Sequence, residues 1–294
     1  MPRGKQTVCW KWPIIFPLLF FIQAAIADDR FACTSNITEQ SLEQISQYWT
    51  EEKLKQAKPL PNPVIGPKDL EILTREIDSA AEEIKGVYPN AIVARSSNVN
   101  VTPAGQGKAV PGNVEDNPYW HAGRLMFEKV DDHDYTCTAQ FVGSEKVLLT
   151  AAHCVQDVST GEWNRNFIFY RSYNDDNEGQ VAGVLSVAVP KGWYEQTGEA
   201  NYQYDYAFIY TADNSEIGWM GLETGNPFKS WTAIGYAENH ENNSILYQIK
   251  GNRGEEKNEL TEVAIQMQGN TLGAGSGGGA WIGDLNPATL THRP

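Results

Sequence analysis

The sequence predicts an all-β domain, a barrel or a sandwich, preceded by a helical leader. After Pro118, short apolar runs are bounded by Gly, Asn, Asp and Pro, with no helical periodicity between them, which is the pattern of strands joined by turns. Nine tryptophans and thirteen tyrosines agree with it, because large aromatic side chains suit half-buried pleated surfaces. The runs expected to form strands are GRLMF, CTAQFV, KVLLTA, NFIFY, VAGVLSVAV, YAFIY, WTAIGY, SILYQI, EVAIQMQ and AWI.

Residues 1–27 have the pattern of a secretory signal peptide. Arg3, Lys5 and Lys11 precede a short apolar run that ends at Ala25-Ile26-Ala27, and this run is shorter than the roughly 20 residues of a spanning helix. An uncleaved anchor is the alternative. We therefore expect a secreted protein, extracellular or periplasmic, with no membrane contact after signal cleavage.

The charge of the mature chain argues against one class of partner. Loss of the three basic residues of the signal takes the formal net charge from −14 to −17. A protein this acidic repels phosphate backbones, so no nucleic acid is expected as a partner. We expect the mature protein to be a monomer.

Residues 28–117 read as a helical leader or propeptide followed by a linker, and residues 118–294 as the β domain. A first helix is predicted over 40–58, ending at Pro59, and a second over 68–85. Removal of the leader after Arg95 would make the protein a zymogen and is a hypothesis only. The apolar positions that fall on one face of the first helix are Leu42, Ile45, Trp49 and Leu54.

The cysteines predict one disulfide bond. Cys9 lies in the signal peptide, so an odd number of cysteines remains in an exported chain, which implies one pair and one residue left over. Cys137 and Cys154 flank a strand-like stretch and are the predicted pair. The remaining cysteine, Cys33, has no assigned role.

His153 is the strongest candidate for a chemical role. It lies in LLTAAHC, where a buried strand runs into two small residues, then the histidine, then the predicted disulfide. The strand and the disulfide would fix the ring, and an imidazole can take up and release a proton near neutral pH. The other histidines, which we interpret as structural or merely exposed, are His121, His133, His240 and His292.

Together with LLTAAHC, three further segments carry a family resemblance: DYAF at 205–208, AIGY at 233–236 and a glycine-rich serine segment. The chain resembles the trypsin-like (chymotrypsin-fold) serine peptidases, and in particular the exported microbial branch related to glutamyl endopeptidases. The likeness covers most of residues 118–283. It implies a double six-stranded β-barrel, whose second barrel we expect to be incomplete because few residues follow the serine segment.

The resemblance also implies a catalytic triad. Ser276 would attack the scissile carbonyl, His153 would relay its proton, and Asp205 would orient the imidazole. The amides of Ala274 and Ser276 would form the oxyanion hole. The implied function is that of a secreted serine endopeptidase that cleaves protein or peptide substrates through an acyl-enzyme. For Asp205, a surface-turn aspartate before a strand is the alternative interpretation.

The serine segment allows a second register. Relatives commonly have four positions from the serine to the following tryptophan, whereas Ser276 and Trp281 are five apart. Without an insertion, Gly277 occupies the position of the nucleophile, and Gly275 takes the glycine position that Ala274 otherwise fills. The chain would then be an inactive homologue acting as a binding or decoy protein. A structural extracellular domain unrelated to peptidases is a third hypothesis.

No cofactor and no metal are predicted. The segment contains a GxGxxG pattern at Gly273, Gly275 and Gly278, which is a weak signal alone and is followed by no βαβ unit. HExxH and paired CxxC motifs are absent from the sequence.

Overall fold

The computed structural model of the chain describes residues 31–34, 42–63, 107–157, 159–174, 179–194, 202–223, 228–253, 267–283 and 285. The predicted signal peptide, the predicted helix over 68–85 and the Arg95–Ser96 bond lie outside these residues. Within the described part, no helix is long and apolar enough to cross a membrane. The described part is mostly β, with three short α-helices.

The leader and the β domain contribute the following elements in chain order. The helices are α1 (Leu42–Tyr48), α2 (Glu51–Gln56) and α3 (Lys191–Tyr194). The strands are β1 (Phe31–Thr34), β2 (Lys58–Pro59), β3 (Val110–Pro111), β4 (Ala122–Glu128), β5 (Asp134–Phe141), β6 (Val147–Thr150), β7 (Arg165–Arg171), β8 (Gln180–Pro190), β9 (Ala207–Thr211), β10 (Ser230–Gly235), β11 (Tyr247–Arg253), β12 (Met267–Gln268) and β13 (Trp281–Gly283).

Six strands close into a barrel, which confirms the predicted fold class. The sheet runs β8-β7-β4-β5-β6-β9, and β8 also pairs with β9, so the first strand of the order meets the last. The interior is apolar and includes Leu125, Phe127, Phe141, Phe167 and Phe169, each at most 1% exposed. Alternation along the strands places these side chains inside the barrel.

The second sheet is smaller and open in the described residues. Its order is β12-β11-β10-β13, with β3 added beside β11. The ten predicted strand runs all contain a strand, although only the end of EVAIQMQ is described, as β12. The sequence interpretation missed β1, β2 and β3, which all lie before residue 118.

The leader packs into the same core as the two sheets. A buried cluster joins Ile45, Trp49 and Leu54 of the leader to Met126 of the barrel and Ile234 of the second sheet. In addition, β1 pairs with β8 and β2 pairs with β5. The described leader residues are therefore part of the folded unit.

The single helix predicted over 40–58 is wrong, because the segment forms two helices. The chain leaves helical geometry at Thr50, whose ψ is 159° and whose Oγ1 accepts a hydrogen bond from the Lys53 amide. A threonine in this position satisfies an amide that has no partner within the helix and so starts a new one. The second helix ends at Gln56, and Lys58–Pro59 is already the strand β2.

The structure contains the predicted disulfide between Cys137 and Cys154. Cys33, which the sequence interpretation left without a partner, is also disulfide-bonded. No described cysteine is free.

Replacing Trp49 with alanine tests whether the leader stabilises the domain. Trp49 is 4% exposed, and its indole Nε1 donates to the Asn166 carbonyl at 2.6 Å. We expect Trp49→Ala to lower the free energy of unfolding by about 3–5 kcal/mol in urea titrations. Glu52→Ala, at an exposed position of α2, is the matched control. Equal stability of the two variants would contradict a structural role for the leader.

Candidate active site

His153 is placed by β6 and by the disulfide. After β6 ends at Thr150, Ala151 is extended and residues 152–154 form one turn of 3-10 helix. Cys154 ends this turn and is bonded to Cys137 on β5. Ala152 is fully buried, so a larger residue there would push the turn away from the barrel. The imidazole is thus held from both sides, as the sequence predicted.

Asp205 makes two hydrogen bonds to the same histidine. Its carboxylate accepts the His153 backbone amide at 2.9 Å and lies 2.7 Å from the ring Nδ1. The two side chains are only 16% and 12% exposed. Bonding at Nδ1 fixes the ring orientation and leaves Nε2 for proton transfer. Asp205 is therefore not a surface-turn residue, although it immediately precedes β9.

The second ring nitrogen of His153 has no partner. Nε2 is buried and makes no hydrogen bond within the described residues. A buried polar atom without a partner is unfavourable, and such atoms often mark functional sites. A Cβ built on Gly277 lies 2.8 Å from this nitrogen.

Ser276 points away from the imidazole. Its Oγ donates to the Gly273 carbonyl at 2.7 Å and accepts from the Asn62 amide at 3.3 Å. Its Cβ faces Gly235 of β10, at 2.7 Å from a Cβ built there. Of the three residues predicted as a triad, the structure brings together His153 and Asp205, and it puts Gly277 rather than Ser276 beside the ring.

The backbone angles of the loop also fit the register in which Gly277 stands at the nucleophile position. Gly275 has φ of +85° and Gly278 of +82°, whereas Ala274 and Gly277 do not have positive φ. Positive φ favours glycine, so the required glycine falls on Gly275. Of the two amides predicted as an oxyanion hole, that of Ser276 donates to Gly273 within the loop at 3.2 Å.

Strand β5 holds this loop against the barrel. Thr138 donates its amide to the Gly277 carbonyl at 2.9 Å and its hydroxyl to the Gly275 carbonyl at 2.9 Å. The Gln140 side chain donates to the Gly278 carbonyl at 3.0 Å. These residues were missed by the sequence interpretation, because polar residues in a strand give no sign of which distant loop they bind.

Leader residues also reach the site. The Gly275 amide donates to the Leu60 carbonyl at 2.8 Å. The Asn62 side-chain amide donates to the Gly273 carbonyl at 3.1 Å. Asn62 was missed as well, since a polar residue in a proline-rich connector predicts no contact with a loop more than 200 positions away.

One grouping of potential metal ligands occurs in the described residues. Single ligand atoms of Cys137, His153 and Cys154 lie within 4.8 Å of one another. Both sulfurs belong to the disulfide, and a metal would need them as thiolates. This grouping is therefore not a metal centre.

Comparison with known proteins gives one matching family and several similar solved structures. The sequence profile of the family described as Trypsin matches residues 112–282, more than half of the chain. Among solved structures, the chain is similar to the protease Anisep from Arthrobacter nicotinovorans, with 20% identity, a TM-score of 0.51, and coverage of 63% of this chain and 84% of the other. It is also similar to a Glu endopeptidase, with 19% identity, a TM-score of 0.49, and coverage of 62% and 82%. No curated protein matches the chain.

Two alanine variants test the geometry of the glycine loop. The nearest neighbours of a Cβ at residue 277 would be the ends of the His153 and Asn62 side chains, whereas a Cβ at Gly278 would lie 2.2 Å from Thr150 Oγ1 and 2.5 Å from the Thr138 carbonyl. We expect Gly277→Ala to lower the free energy of unfolding by about 1 kcal/mol, because the end of the His153 ring has to shift to admit the methyl group. Gly278→Ala should cost about 2 kcal/mol or more. Equal losses in urea titrations would contradict the placement of Gly277.

Proposed function

The chain belongs to the trypsin family, and we propose that it is an exported, non-catalytic member whose cleft binds protein or peptide segments. The observation that carries this proposal is the position of Gly277. A Cβ built on this residue has His153 Nε2 as its nearest neighbour, so residue 277 is the one whose side chain would be directed at the base. Glycine supplies no hydroxyl there.

Acyl-enzyme chemistry needs a hydroxyl within hydrogen-bonding reach of the base. Ser276 Oγ instead donates to Gly273, and its side chain faces β10. Loss of the serine from a triad of this kind costs on the order of 10⁶ in kcat. On this basis His153 and Asp205 form an acid–base pair, but no hydroxyl is placed to transfer its proton to His153.

The His153–Asp205 pair has a structural use without catalysis. Asp205 satisfies both the backbone amide and the ring nitrogen of His153, so it fixes the turn that carries Cys154. Removal of the carboxylate would leave these buried donors without a partner, at a cost of about 1–3 kcal/mol. The pair can therefore be retained because it shapes one wall of the cleft.

A serine endopeptidase that uses Ser276 is the second candidate. It is favoured by the family, by the intact His153–Asp205 pair, and by Ser276 being the single hydroxyl in GAGSGGGAW. This function requires the loop to rearrange so that Ser276 Oγ leaves the Gly273 carbonyl and reaches Nε2. Protein or peptide substrates would then be cleaved rather than only bound.

Export to the cell exterior or to the periplasm is part of the proposal. The pattern of residues 1–27 supports it, as does the Cys137–Cys154 disulfide, since such bonds persist in oxidising compartments. Neither candidate function uses a metal or an organic cofactor.

Labelling with a fluorophosphonate distinguishes the two candidates. We expect the native protein to remain unlabelled, because Gly277, the residue that faces His153 Nε2, has no hydroxyl. Gly277→Ser should acquire the label on prolonged incubation, at residue 277, as identified by mass spectrometry of the modified peptide. The double variant Gly277→Ser with His153→Ala is the control and should not react.

One labelling result would contradict the non-catalytic proposal. Labelling of the native protein at Ser276, abolished by Ser276→Ala while the fold is retained, would overturn the non-catalytic proposal in favour of the peptidase.

A further inference from the structure

The leader ends in an extended segment that lies in the cleft. We call residues Lys58–Asn62 the strap. Its first two residues form β2, which runs parallel to β5 with Lys58 opposite Tyr135 and Pro59 opposite Thr136. The strap then continues across the loop of residues 273–277 towards His153. A segment of the same chain thus lies where an external peptide would reach the site.

Main-chain hydrogen bonds hold the strap on both sides. The Leu60 amide donates to the Thr136 carbonyl at 3.0 Å, and the Leu60 carbonyl accepts from the Gly275 amide at 2.8 Å. With Gly277 in the nucleophile position, Gly275 is the residue two places before it, and its amide is then a donor for a bound carbonyl oxygen. The strap therefore occupies a donor that a bound peptide would use.

Asn62 brings the strap up to the imidazole. Its side-chain amide donates to the Gly273 carbonyl at 3.1 Å and to Ser276 Oγ at 3.3 Å. Its Oδ1 is buried without a partner and lies 3.2 Å from a Cβ built on Gly277. The same point is 2.8 Å from His153 Nε2, so Asn62 and His153 face one small space above Gly277.

The strap is anchored by Leu60 and by the two helices that precede it. Leu60 is 7% exposed and packs into the barrel core. The Tyr48 hydroxyl donates to Asp134 at 2.6 Å, and Lys53 lies 3.4 Å from the same carboxylate. Burial and the bond to Asp134 raise the pKa of Tyr48 above its ordinary value, so this hydroxyl remains a donor. These contacts hold residues 60–62 next to the glycine loop, so that their effective concentration there is high.

We propose that the strap is a built-in occupant of an extended-peptide groove between β5 and residues 273–277, and that a partner binds by displacing Leu60–Asn62. This inference rests on the proposed binding function. The groove recognises a main-chain carbonyl through the Gly275 amide and a side-chain amide, two residues further on, through the Gly273 carbonyl. The partner is therefore an extended polypeptide with asparagine or glutamine at that position.

Hydrogen exchange of the Gly275 amide tests the strap without any enzymatic readout. We expect this amide to be protected in the native protein, because Leu60 accepts its hydrogen. Asn62→Ala removes both side-chain hydrogen bonds of the strap and should speed exchange over residues 273–277 by roughly tenfold. Pro61→Ala, at an exposed strap position, is the matched control and should not change it. Circular dichroism establishes that both variants are folded.

A rescue experiment with a synthetic peptide of residues 57–63 is the second test of the strap. Added in excess to Asn62→Ala, it should restore protection of the Gly275 amide, and the same peptide with alanine for its asparagine should not. Unchanged exchange in Asn62→Ala overturns the proposal, and so does exchange that the peptide leaves fast.

The rate of fluorophosphonate labelling tests the strap separately from the non-catalytic function on which this inference rests. In the Gly277→Ser background, addition of Asn62→Ala should increase the rate of fluorophosphonate labelling, again by roughly tenfold, and addition of Pro61→Ala should not. An equal rate with and without Asn62→Ala overturns the strap. Labelling of the native protein at Ser276 overturns the non-catalytic function instead, and leaves the exchange experiment as the test of the strap.

Discussion

Strand β5 is in contact with three components of the candidate site, which are the turn that carries His153, the glycine loop and the strap. Through Cys137 it is bonded to the turn that carries His153, and through Thr138 and Gln140 it binds the carbonyls of the glycine loop. Through Thr136 it binds the strap. A single strand can serve all three because its interior residues are fixed by pairing with β4 and β6. The relative positions of base, loop and leader therefore follow from one rigid element.

The candidate site combines the hydrogen-bonded pair of His153 and Asp205 with a loop in which Gly277, rather than Ser276, lies beside the imidazole. His153 and Asp205 have short hydrogen bonds and little exposure. The neighbouring loop has glycines with positive φ at Gly275 and Gly278. Such a loop presents backbone groups, which bind peptides whether or not a bond is cleaved. For this reason the proposed function assigns to this architecture the binding of peptides without their cleavage.

The leader occupies part of the cleft and also packs into the core. Its two helices bury Ile45 and Leu54 in the core, and its strap fills hydrogen-bonding positions next to His153. Removal of these residues would expose apolar surface as well as the groove, so leader and domain are coupled by packing. A leader of this kind controls access to the site by competition, and the strength of the competition depends on a few hydrogen bonds.

By itself the sequence determined the fold class, the ten strand runs and the disulfide between Cys137 and Cys154, and its family resemblance implied the pairing of His153 with Asp205. Alternating apolar runs depend on local burial, which a sequence records directly, whereas the LLTAAHC and DYAF segments carried information through their resemblance to a known family. Only the tertiary structure decided which of Ser276 and Gly277 faces the imidazole and where Leu60 and Asn62 lie. Glycines have many backbone conformations of similar energy, so contacts with β5 select one path for the loop. A shift of one residue then turns the serine side chain away from the base.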